Sequence, residues 1–100
     1  MAAQAQKREI YAAQDQIKAG KNLDKARQSM ANLLKDPANR TNEKIWLTLY
    51  DALTGLYEQG NEKLYLKQPY DTAALFNITK AMFETAESLD SVEAAPDRRG

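Results

Sequence analysis

Between Leu23 and Lys35, Leu23, Ala26, Met30, Leu33 and Leu34 recur at i, i+3, i+7, i+10 and i+11, with Asp24, Lys25, Arg27, Gln28 and Asn32 opposite. That is the period of an α-helix with one buried face. No stretch of the chain alternates β-branched with polar residues, so no strand is expected. A chain with this constraint must bury its apolar stripes helix on helix.

Three further segments carry the same period. Ile10, Ala13 and Ile17 mark one face of a helix over about Gln4 to Lys18, and Gly20 is placed to take the left-handed conformation that ends it. Asn22 is expected to cap the second helix, and Asp36-Pro37 to stop it. After a polar loop over 37–42, Thr41 or Asn42 can cap a third helix, which carries Ile45, Trp46, Leu49, Leu53 and Leu56. This helix is apolar around more than half its circumference, so it is expected at the centre, with the second and fourth helices against it. Leu49, Leu53 and Leu56 are its expected inward row. Gly60-Asn61 interrupts it, and Glu62 to Pro69 reads either as its extension or as a separate turn. Asp71 is a good cap for a fourth helix from Thr72 to about Leu89, with Leu75, Ile78, Thr79, Met82, Ala86 and Leu89 as its stripe and Phe76 and Phe83 widening it. Residues 91–96 either begin another helix or fray. Four helices with short links make two antiparallel hairpins in a single all-α domain over residues 1–100.

The chain contains no His and no Cys, which excludes imidazole catalysis, thiol nucleophiles, disulfides and zinc sites built on those ligands. Its four glycines are too scattered for a phosphate-cradling loop. Asp51 and Glu58 lie seven residues apart on one helix face, about 10–11 Å along the axis, too far for a retaining carboxylate pair. No loop has the closely alternating ligands of a calcium site. The expectation is therefore a non-enzyme without cofactor or metal.

Fourteen basic and fourteen acidic residues give zero net charge, which argues against nucleic acid as a partner. The charges are unevenly spread. Residues 1–41 carry eight basic and four acidic side chains, residues 71–100 three and six. Such an asymmetry suits head-to-tail contact between modules, and chance or solubility accounts for it equally well. No apolar run approaches the roughly 20 residues of a membrane span. The opening Met1-Ala2-Ala3-Gln4-Ala5-Gln6-Lys7 has the small-residue alternation found where secretory signals end, so export with a signal removed is expected, a cytoplasmic Ala- and Gln-rich terminus being the other reading. The far end, Val92 to Gly100, has no clear closing element, and a longer parent protein is expected.

The first hairpin resembles a tetratricopeptide repeat, a 34-residue helix–turn–helix. Ile10, Ala13 and Ile17 look like its first-helix positions, Ala26, Met30 and Leu33 like its second-helix row, and Pro37 like its closing proline. In the second hairpin Leu49, Ala52 and Leu56 resemble the first-helix row and Tyr70-Asp71-Thr72-Ala73 the start of the second helix. About eight extra residues, Glu62 to Pro69, separate them, and Leu53 and Gln14 stand where a small residue is usual. The whole looks like the opening region of exported bacterial tetratricopeptide-repeat proteins. The resemblance implies right-handed repeat packing and a protein–protein interaction or scaffolding role, with a peptide or partner helix bound in a groove lined by first helices. It implies Arg8, Tyr11, Asp15 and Lys18 on the first helix and Leu47, Tyr50, Thr54 and Tyr57 on the third as groove residues. Tyr50 and Tyr57 can equally pack on the fourth helix with their hydroxyls at the surface. Trp46 is expected to be buried rather than to anchor a partner. An accessory or capping helical domain of a larger exported enzyme, or a purely structural dimer, is the alternative to the interaction module.

Overall fold

The computed structural model describes residues 2–69 and 71–94, with side chains from Lys7 to Val92 apart from Tyr70. Tyr70 as the start of the second-repeat helix, the terminal residues 95–100 and Met1 lie outside the described residues. Four α-helices make up the fold, α1 (Ala2–Ala19), α2 (Leu23–Leu33), α3 (Glu43–Tyr65) and α4 (Thr72–Ala94), with a 3-10 turn at Pro37–Thr41. No strand occurs among the described residues.

Each helix end follows from local chemistry. Gly20 adopts φ 69° and closes α1. Its N–H donates to the Ile17 carbonyl (3.0 Å) and the Lys21 N–H to that of Gln16 (3.1 Å), the paired bonds of a Schellman motif. Asn22 precedes α2 as expected, but by a different means: its backbone is left-handed (φ 57°) and its side chain accepts no capping bond. Asparagine tolerates that conformation, and two left-handed residues, Gly20 and Asn22, reverse the chain within three positions.

The link expected as a plain polar loop is ordered by side-chain bonds. Asp36 Oδ1 accepts from the Ala38 N–H (3.0 Å) with Pro37 in the first turn. Asn39 Nδ2 donates to the Leu33 carbonyl (2.7 Å) and Arg40 Nε to that of Leu34 (2.9 Å), which satisfies acceptors that the end of α2 leaves open. The Trp46 indole N–H donates back to the Arg40 carbonyl (2.7 Å), leaving the ring half-buried against the core. Asn42 caps α3 through its Oδ1 and the Lys44 N–H (3.0 Å), and Asp71 caps α4 through the Ala73 N–H (2.9 Å). Of the two readings of Glu62–Pro69, extension is the one observed: α3 continues through the buried Gly60 to Tyr65. It ends on a second Schellman pair, Lys67 N–H to Leu64 O and Gln68 N–H to Lys63 O, with Lys67 at φ 60°.

Helix directions follow from pairs along α3. Gln14 meets Thr48 and Gly20 meets Gln59, so α1 and α3 run the same way. Leu23 lies on Gly55 while the end of α2 reaches Trp46 through Arg40, so α2 is antiparallel to α3. Tyr50 lies by Ala86 and Leu89, and Gly60 by Ala74 and Asn77, so α4 is also antiparallel. Helix α3 packs on all three other helices, its expected central place. The core joins Ile10 and Ala13 of α1, Ala26 and Met30 of α2, Ile45, Ala52 and Leu53 of α3 and Ile78 of α4. Leu49 is buried and Leu56 half-buried, so the expected inward row faces in.

Helix α4 corrects one expectation. Phe76 and Phe83 do not widen its packed stripe; they are 70% and 66% exposed. Thr79 and Ala86 are exposed with them, while Thr85, absent from the expected stripe, is buried. The packed face runs through Ile78, Ala81, Met82 and Thr85, with Ala74, Leu75 and Leu89 half-buried beside it, so Leu75, Ile78, Met82 and Leu89 of the expected stripe do turn inward.

Candidate binding surface

Gln14 Nε2 donates to Thr48 Oγ1 (3.4 Å) at the seam between α1 and α3. Because these helices run the same way, residues displaced toward higher angle on α1 and lower angle on α3 turn to one side of that seam. At 100° per residue these are Tyr11 and Lys18 on α1 and Leu47, Asp51 and Glu58 on α3. All five are exposed, Tyr11 at 56% and Leu47 at 42%. The result is an open strip with Gln14 and Thr48 as its floor, a basic wall and an acidic wall, and one large apolar side chain on each wall. The Asp51 carboxyl sits above the ordinary carboxylate value because neighbouring protein partly desolvates it.

The structure separates the residues that the repeat resemblance grouped. Tyr11, Lys18 and Leu47 line the strip. Arg8 and Asp15 are exposed but turn farther round α1, away from α3. Thr54 is half-buried at the strip's edge, and its hydroxyl donates to the Tyr50 carbonyl (2.9 Å). Tyr50 and Tyr57 lie on the opposite side of α3 from α1. Tyr50 lines a shallow cleft of about 170 Å³ with Ala86, Leu89 and Asp90 of α4, and Tyr57 packs against the core. Of the two readings of this tyrosine pair, packing toward α4 is the one that fits their positions. Sequence offsets missed Asp51 and Glu58 as wall residues; the wheel position of Leu47 carried that signal, since Asp51 and Glu58 follow it at i+4 and i+11.

A second concavity, of about 430 Å³, opens between α2 and α4 over α3, lined by Asp24 and Arg27 of α2, Leu56 and Gly60 of α3 and Ala74 and Ile78 of α4. Gly60 and Ala74 leave its floor low, and Arg27 and Lys63 stand beside Asp24 at its rim. Its rim thus carries two cations and one anion, a slight positive excess. At the far end of α3, Tyr65 and Leu66 are exposed at 85% and 53%. Among the described residues no three carboxylates converge as metal ligands, and no helix is long and apolar enough to cross a membrane. A scan against protein-family models finds no match, and searches of curated proteins and of solved structures find no similar chain.

Proposed function

We propose that this chain is a protein–protein interaction module of the tetratricopeptide-repeat kind, which binds an extended peptide or a partner helix along the α1–α3 strip and performs no chemistry itself. The observation that carries this reading is the exposure of Tyr11 and Leu47 on the same side of the Gln14–Thr48 seam. Two apolar anchors set between charges of opposite sign suit a partner helix or strand with its own apolar row. The order of the helices supports the repeat reading: α1 and α3 are adjacent and run the same way, as first helices of successive repeats do.

The test is selection of peptides from a random display library, followed by calorimetry on the selected peptides. Leu47→Arg and Tyr11→Ala are expected each to weaken binding at least tenfold while costing no more than about 1 kcal/mol of stability, since about half of each side chain is already exposed. Selected peptides that bind the Leu47→Arg protein as well as the original would remove the strip from consideration.

A further inference from the structure

Two faces of the molecule point away from the core at opposite edges. On α1, Arg8, Ala12, Asp15 and Ala19 are all exposed, spaced four, three and four residues apart. On α4, Phe76, Lys80, Phe83 and Glu87 are all exposed with the same spacing. Each set is a stripe about 60° wide, the width of a coiled-coil seam. Laid antiparallel, the two stripes match position by position: Phe76 falls on Ala19, Lys80 on Asp15, Phe83 on Ala12 and Glu87 on Arg8. Each large ring meets a small side chain, and each charge meets its opposite. The unequal charge of the two ends, basic over residues 1–41 and acidic over 71–100, acts in the same direction.

The helix directions supply the geometry. Helices α1 and α4 run oppositely and each packs mainly on α3, with no extensive contact between them that would satisfy the match within one chain. A second copy advanced along the row of helices, in the same orientation, presents its α1 antiparallel to the first copy's α4. We infer that α4 of one copy docks on α1 of the next, head to tail, through the Phe76–Lys80–Phe83–Glu87 and Arg8–Ala12–Asp15–Ala19 stripes. The contact is heterologous, so it repeats: the second copy offers a free α4 to a third. A single helix pair buries less than the roughly 800 Å² per partner of a standard interface, so the association is weak. This assembly goes beyond the strip proposed above and uses neither Tyr11 nor Leu47.

Sedimentation velocity of the full chain over a concentration series at low salt tests it. The weight-average mass is expected to rise with concentration beyond that of a dimer, and to fall when salt is added. Phe83→Glu should weaken association at least tenfold with no change in melting temperature, and Glu87→Arg about three- to tenfold. Arg8→Glu should weaken it similarly, and an equimolar mixture of the Arg8→Glu and Glu87→Arg proteins should associate as the original does. A chain that stays monomeric at millimolar concentration overturns the inference and leaves the α4 face to a different partner. A mass that levels off at two copies and ignores Arg8→Glu overturns it in favour of a symmetric α4–α4 pair. Mixed variants that fail to recover overturn the register. Leu47→Arg should leave the mass distribution unchanged, so loss of the strip reading and loss of this one are separate results.

Discussion

Helices α3 and α4 have the same length, 23 residues, and both are apolar on more than one side. Yet through Gly60 α3 is enclosed by α1, α2 and α4, with Leu47, Asp51 and Glu58 along its open face, whereas α4 packs chiefly on α3. The difference teaches that an apolar face states a capacity for contact, while topology decides whether the chain fills it. Third in a row of four helices, α3 has neighbours before and after it. The last in the row has a neighbour on one side, and its second apolar face, at Phe76 and Phe83, stays open to water. In an ordinary small domain such rings would be buried.

Core truncation gives the largest expected contrast. Leu53 is 1% exposed and is one of the largest side chains of the core. Leu53→Ala should cost about 2–5 kcal/mol by lost burial and a residual cavity, a large share of the stability of a domain this small. Phe83→Ala removes more side chain but should change the free energy by no more than about 0.5 kcal/mol, because the ring is already hydrated. Chemical denaturation at a dilution where the protein is monomeric checks both. Equal losses at the two positions would mean that Phe83 is covered in the folded monomer, and the contrast between the helices would disappear.

The two Schellman ends sharpen the comparison at a smaller scale. After α1 the left-handed position is held by Gly20, after α3 by Lys67. At Gly20 a Cβ would meet nothing within 4 Å, so Gly20→Ala should cost only the left-handed backbone penalty, about 1 kcal/mol. Lys67→Gly relieves the same penalty but adds freedom to the unfolded chain, and should stabilise by about 0.5 kcal/mol. Opposite signs at two ends of identical hydrogen-bond pattern are the expected result of thermal or urea melts. The link that joins the enclosed helix to the half-covered one thus places a lysine at the Schellman position that a glycine holds after α1.

The elements were largely legible in the sequence because their signals are local. Helical period, Gly20, Asp36-Pro37, Asn42 and Asp71 each act within one turn, and they place the helices and most of their ends. Local signals also explain the misreadings. Gly60 left two readings open, and extension is the one observed, since a glycine costs a helix only about 1 kcal/mol. Helix α4 offers two apolar faces at the same period, and periodicity cannot rank them. The choice rests on how α4 lies against α3, which turns Ile78, Ala81 and Met82 inward and Phe76 and Phe83 outward. The proposed strip was legible by half for the same reason: Tyr11, Lys18 and Leu47 are exposed beside it, while Tyr50 turns to Ala86 and Leu89 of α4 and Tyr57 packs on the core.

The smallest expected effect concerns the one open face of α3. Burial raises the Asp51 carboxyl above its unfolded value of 3.8, so the folded state holds this proton more tightly than the unfolded state does. The sign then follows from linkage. The contribution of Asp51 to stability is fully present below the unfolded value and is lost as pH rises through the folded one, because the charged form is the less welcome in the fold. Asp51→Asn, which cannot ionise, should therefore raise the melting temperature by about 1 °C at pH 7, a small gain because the group is mostly exposed and solvent screens it. Below pH 3.8 the gain should vanish, since both side chains are then neutral. A gain that persists in acid would trace to packing rather than to charge. A loss at pH 7 would mean that the Asp51 anion is held by a favourable partner across the strip, and the acidic wall would then be engaged with the basic wall of α1 rather than open to a ligand.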